Sequence, residues 1–153
     1  MTAPNHALTG ALIGLTVTDP WLAIPLAFLS HFACDAIPHY DPPGSEVGRI
    51  GSRRLVVDQL LIGGTLCIVV VVVLAAMRPT HWLLAVLCAF LAASPDLFWI
   101  PRWLHVRHTG RDVQHLNWFL RIHSAVQWKT GPRLWWVEGV WALCVGWMVA
   151  VRL

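Results

Sequence analysis

The sequence predicts an all-α protein, a polytopic membrane helical bundle with about 5 hydrophobic helices, the first two short, and one interfacial amphipathic helix. Three observations carry that prediction. The chain of 153 residues is 57% hydrophobic and only 12% charged, about half the charge of a soluble domain. Several apolar runs are long enough to cross a bilayer. Ten tryptophans are many for this length, and indole rings favour the membrane–water boundary. Residues 1–153 form a single integral membrane domain on this reading.

The firmest span is Leu55 to Met77, which contains the run Cys67-Ile68-Val69-Val70-Val71-Val72-Val73-Leu74. Its β-branched residues suit a strand, but ~20 apolar residues are too many for one. They cover the ~30 Å hydrocarbon core as a helix. Trp82 to Ile100 and Trp135 to Val151 are two further spans. Ahead of them, Ala7 to Val17 is apolar but short, and Asp19-Pro20 interrupts it before the run Trp21 to Ile37. Proline removes a backbone donor and restricts the residue before it, so residues 6–38 read as a hairpin of two short helices. Gly10 and Gly14 offer a small-xxx-small face for close packing.

Two polar connections join these runs. Tyr40 to Arg54 holds Pro42-Pro43-Gly44 and three arginines. Pro101 to Arg133 holds six basic residues, one acid and four histidines. Within it, Arg111 to Trp128 sets Val113, Leu116, Leu120, Ile122 and Val126 among polar residues, the pattern of an amphipathic helix at the interface.

With helices over 6–18, 21–38, 55–77, 82–100 and 134–152, successive loops alternate sides. Nine of the eleven basic residues then share one face with the N-terminus, and only Arg78 and Arg152 lie opposite. The positive-inside rule makes that face cytoplasmic, as expected of a protein in the bacterial inner (cytoplasmic) membrane. No Lys or Arg precedes Arg49, so the basic n-region of a signal peptide is missing and the N-terminus is expected to stay. The net charge of +3 is dispersed, which excludes a nucleic-acid-binding role. Cys34, Cys67, Cys88 and Cys144 each stand alone in apolar sequence. With no C-x-x-C pair, they read as buried small hydrophobes.

The polar residues inside the apolar runs carry the functional signal. His6 begins the first helix, His31, Asp35 and His39 end the second, Asp58 opens the third and Asp96 closes the fourth. His105, His108, His115 and His123 follow in the long connection. All map to one face, and of eight histidines only His81 falls opposite. Intramembrane carboxylates are costly and gather where they have a partner or a polar cavity. His31, Asp35 and His39 recur at i, i+4 and i+8 on one helical face, with Pro38 loosening the last turn. Imidazole and carboxylate together suit Zn²⁺, and also Mn²⁺ or Fe²⁺. Asp96, in Ser94-Pro95-Asp96, is either a helix cap or a second carboxylate ligand or general base. His105, His108 and His115 read as solvated surface residues. Ser124 lacks the G-x-S-x-G elbow of a serine nucleophile.

Four short segments, in order, resemble a known family. They are Asn5-His6-Ala7-Leu8-Thr9-Gly10, the stretch Ser30-His31-Phe32-Ala33-Cys34-Asp35-Ala36-Ile37-Pro38-His39, Ser94-Pro95-Asp96, and Arg121-Ile122-His123-Ser124. The chain resembles the YdjM-like membrane-bound metal-dependent hydrolases. That resemblance implies polar functional positions at His6, Asp96 and His123, with His31, Asp35 and His39 the fuller motif of one branch. Ile122 stands where the family has threonine, and Leu97-Phe98-Trp99 replaces the rest of an Asp-x-Asp-His element.

The expected function is therefore metal-dependent hydrolysis at the cytoplasmic membrane face. A divalent metal, zinc first, is expected on His6, His31, Asp35, His39 and Asp96, with Asp35, Asp96 and His123 as catalytic residues. The depth of the site suits a lipid-like or phosphate-ester substrate. One rival is an accessory or assembly subunit of a membrane complex, with histidines ligating a pigment, haem or partner. The other is an ion transporter, which short helices build only as a homo-oligomer.

Overall fold

The computed structural model describes residues 1–40, 61–111, 115–127 and 130–153. The 40–54 loop beyond Tyr40, the opening of the third expected span with Asp58, and Asp112, Val113, Trp128 and Lys129 lie outside the described residues. Among the described residues the protein is all-helical, with one isolated bridge between His39 and Thr130.

Among the described residues, seven α-helices follow one another. They are α1 (Ala3–Thr16), α2 (Pro20–Asp35), α3 (Gly64–Met77), α4 (Trp82–Ala93), α5 (Ile100–Thr109), α6 (Trp118–Val126) and α7 (Trp135–Ala150). A 3₁₀ turn, Ser94–Trp99, joins α4 to α5, and another, Pro132–Leu134, leads into α7. The Asp19-Pro20 interruption is a helix start: the Asp19 side chain accepts from the Trp21 N–H at 2.9 Å, with Pro20 in the first turn, where its missing donor costs nothing.

The fourth helix differs from expectation. It does not stop near Ile100, because Trp82–Thr109 is one helical rod of 28 residues, long and apolar enough to cross a membrane. Pro95 and Pro101 do not break it, since each sits in the first turn of the segment it opens. The connection expected from Pro101 therefore begins as helix α5, and among the described residues of the amphipathic helix expected over 111–128 the helix is α6.

The centre of the bundle is α1, which packs most extensively on α4 and also meets α2, α3 and α7. Its core is made of small residues: Ala7 and Ala11 of α1 and Ala85 and Ala89 of α4, with Leu74 and Val149 beside them. Ala23, Ala27 and Cys88 form the neighbouring α2–α4 contact. Large apolar side chains lie outside, among them Leu22, Ile68, Leu83, Phe90, Leu143 and Trp147, the last 71% exposed. The polar side chains Asn5, His6, His31, Asp35 and His123 are buried instead.

Glycine sets the α1–α4 distance. A Cβ on Gly10 would stand 2.2 Å from the Cys88 carbonyl oxygen, and one on Gly14 would stand 2.4 Å from Ala85 Cα. Both obstacles are backbone, so they cannot swing aside. Gly10→Ala and Gly14→Ala are each expected to lower unfolding stability in detergent by about 1–3 kcal/mol. Gly146→Ala, with open space around it, should match or slightly exceed the parent protein in the same measurement.

Candidate metal centre

Five chain segments meet at one end of the bundle: the start of α1, the end of α2, the 94–99 turn, α6 and the start of α7. On α2, His31 and Asp35 are one helical turn apart and both fully buried. Asp35 is the last residue of the helix. The chain then turns, and Pro38 and His39 leave the helical path, so the expected i+8 register is lost. His39 nevertheless returns to the same carboxylate, with Nε2 3.9 Å from Asp35 Oδ1.

The two oxygens of Asp35 face different partners. Oδ1 receives the Met1 α-amino group and lies 3.1 Å from His6 Nε2. Oδ2 accepts from His123 Nε2 at 3.0 Å and from Gln127 Nε2 at 2.9 Å, and stands 3.2 Å from His31 Nε2. Asp96, 32% exposed, is the partly open member, with Oδ1 3.6 Å from His31 Nε2 and 3.8 Å from His123 Nε2. His6 stacks on His31 with ring centroids 4.0 Å apart.

Proline chemistry explains how His31 is oriented. Pro95 has no N–H to offer the carbonyls of the preceding turn. The Leu91 carbonyl is taken by the Ser94 hydroxyl at 2.9 Å, and the Ala92 carbonyl by His31 Nδ1 at 2.8 Å. A carbonyl only accepts, so His31 Nδ1 carries a proton and donates it there, and Nε2 faces Asp35 and Asp96. In the 3₁₀ turn, side chains three apart eclipse, which puts Asp96 and Trp99 on the same side, both facing His123. His39 is fixed likewise: its Nδ1 donates to the Ile37 carbonyl at 2.8 Å. Burial, with the Met1 ammonium adding to it, pushes the His39 imidazole below its ordinary pKa, so it stands neutral.

His31, Asp35, Asp96 and His123 bring one ligand atom each to within 4.8 Å of one another and can hold a metal ion. The 3.2 and 3.6 Å separations of His31 Nε2 from the two carboxylates bracket the ~3.3 Å edge of a tetrahedron with ~2.0–2.1 Å bonds. The donor set fits a divalent cation. His6 and His39, expected as ligands, contact the other oxygen of Asp35 and stand outside this group of four. His6 Nδ1 is buried without a hydrogen-bond partner among the described residues. His105, His108 and His115 are exposed and remote from the group, and Ser124 is exposed.

Several contributing residues escaped the sequence reading. Glu138 of α7 accepts from the Thr2 N–H and hydroxyl at 3.1 and 2.7 Å, from Asn5 Nδ2 at 2.7 Å and from the Tyr40 N–H at 3.3 Å. It clamps the start of α1 to the end of α2. Its signal was present, as the one acid in the apolar run Trp135–Val151. Gln127 lies one helical turn beyond His123, and Trp99 three residues beyond Asp96. On α6 the polar His123 faces inward while Ile122 and Trp118 point outward, 53% and 74% exposed.

No family model matches the chain, and no curated protein or solved structure is significantly similar to it.

Glu138→Ala is expected to lower unfolding stability by about 2–3 kcal/mol, since it strands buried donors on α1. Glu138→Gln should recover part of that loss in the same denaturation assay.

Proposed function

We propose that the protein is a membrane-embedded, metal-dependent hydrolase acting on a phosphate-ester or lipid-like substrate at one face of the bilayer. The observation that carries this reading is the convergence of His31, Asp35, Asp96 and His123, from three separate parts of the chain, with ligand atoms within 4.8 Å. Zinc is the favoured ion, with manganese and iron as alternatives, because imidazole and carboxylate donors suit all three. When bound, a divalent cation lowers the pKa of water toward ~7 and polarises a phosphoryl oxygen.

His31 and Asp35 hold the ion from α2, and Asp96 from the 94–99 turn. Asp96 is the partly exposed member of the group, so it borders the route by which substrate enters and is placed to take a proton from water. The resemblance of the His6, His31–His39, Pro95-Asp96 and His123 segments to YdjM-like hydrolases supports the same reaction class.

A bilayer setting is supported by the inverted packing, with alanine, glycine and polar groups inside and Leu, Val and Trp outside. Soluble monomers rarely expose contiguous apolar surface beyond a few hundred Å². On this reading α1–α4 and α7 form a polytopic bundle, α6 lies at the interface, and the N-terminus is cytoplasmic, beside Arg102, Arg107, Arg111, Arg121 and Arg133. A transporter is disfavoured because the polar cluster stays at one end, while the α1–α4 contact beyond it is built from Gly10, Ala11, Gly14, Ala85, Cys88 and Ala89, with no charged side chain among them. A pigment- or haem-binding subunit is disfavoured because the buried histidines converge on one carboxylate.

Elemental analysis of detergent-purified protein should find about one zinc, manganese or iron per chain, lost in both His31→Ala and Asp35→Ala. Asp96→Asn should reduce hydrolysis of chromogenic phosphate esters by about 10²-fold or more. Protein that holds no metal after chelator-free purification, and takes up none on addition, would overturn the assignment.

A further inference from the structure

The four donors of the metal centre are alike in distance but differ in what lies behind them. A histidine that ligates through one ring nitrogen keeps its proton on the other, and that N–H almost always finds an acceptor. His31 satisfies this rule, with Nδ1 donating to the Ala92 carbonyl at 2.8 Å. His123 does the reverse. Its Nδ1 faces the indole N–H of Trp99 at 3.2 Å, and an indole nitrogen only donates. His123 Nδ1 therefore accepts, and in the neutral ring the proton sits on Nε2.

That proton has clear destinations. His123 Nε2 lies 3.0 Å from Asp35 Oδ2, a carboxylate oxygen that only accepts, and 3.0 Å from His31 Nε2. The ring cannot readily turn to exchange its nitrogens, because it is fully buried and walled by Phe32, Phe119, Trp99 and His31. Gln127, the residue after α6, has its Nε2 3.3 Å from His123 Nε2 but donates to the same Oδ2 at the shorter 2.9 Å, so two donors hold that carboxylate oxygen.

We propose that His123 is a positioning residue and not a metal ligand, with the Trp99 N–H selecting the tautomer that makes it donate to Asp35. The inference rests on the metal-centre reading and refines it. His31, Asp35 and Asp96 are then the three protein ligands, the number found in catalytic zinc sites, where the fourth position is left for water or substrate; structural sites close all four. Trp99 and Asp96 come from one 3₁₀ turn, so the element that supplies an outer ligand also excludes His123 from the ion.

The test is ¹⁵N-histidine NMR of the full chain in detergent, first metal-free and then with added Zn²⁺, with His123 assigned by the signal lost in His123→Gln. The metal-free spectrum is expected to show a protonated Nε2 and an imine-type Nδ1 for His123, and a protonated Nδ1 for His31. In Trp99→Phe the preference of His123 should relax to a mixture of tautomers. On adding Zn²⁺, the His31 Nε2 signal should take a coordination shift and the His123 Nε2 signal should not. His123→Gln should weaken zinc binding by about 10–100-fold, while His31→Gln should abolish it. A protonated Nδ1 on His123 in the metal-free parent protein overturns the proposal, as does a zinc-coordinated His123 Nε2, and both are read on the parent protein. Zinc that shifts no histidine signal overturns the metal-centre reading instead, and the metal-free spectrum still decides the tautomer.

Discussion

The structure depends on keeping the Asp35 carboxylate satisfied where it is buried. Taking a carboxylate out of water costs several kcal/mol unless charged or polar donors surround it. Asp35 is buried at the end of α2, and the donors it receives come from the chain's start, from α1 and from α6. Each is remote in sequence, so one acid ties together separate segments of the chain. Glu138 repeats the device on a smaller scale between α7 and the start of α1.

Close helix packing makes that convergence possible. With the large apolar side chains on the outer surface, association between α1 and α4 rests on close backbone approach and polar bonds. Gly10 and Gly14 bring α1 against the backbone of α4, beside Cys88 and Ala85. Larger residues there would push α1 away from the Ala92 carbonyl region, where His31 finds its partner. Small-residue packing in the bundle and ligand orientation at its end are thus parts of one construction.

Proline contributes by subtraction. Pro95 leaves the end of α4 one backbone donor short, and side chains serve two carbonyls there: the Ser94 hydroxyl that of Leu91 and His31 that of Ala92. The helix tightens into a 3₁₀ turn and continues into α5. The tightening places Asp96 and Trp99 together over the centre. The same Pro-Asp element thus supplies a carboxylate, the orientation of His31 and the hydrogen bond to His123.

By itself the sequence determined the helical class, the order of the hydrophobic segments and the candidate residues at their ends, because low charge and long apolar runs admit few other arrangements. Periodicity on α2 paired His31 with Asp35, since i and i+4 share a face on any helix. It misplaced His39, whose position depends on where the helix stops, and it ended the fourth helix too early, because a proline in a first turn reads like a break. Tertiary structure alone decided which residues complete the centre. Asp96 and His123 reach His31 and Asp35 only through the 3₁₀ winding and the docking of α6, while His6 and His39 fall to the other oxygen of Asp35. The protonated nitrogen of each histidine also lay beyond sequence, because it is set by the group behind the ring: a carbonyl for His31 and an indole N–H for His123.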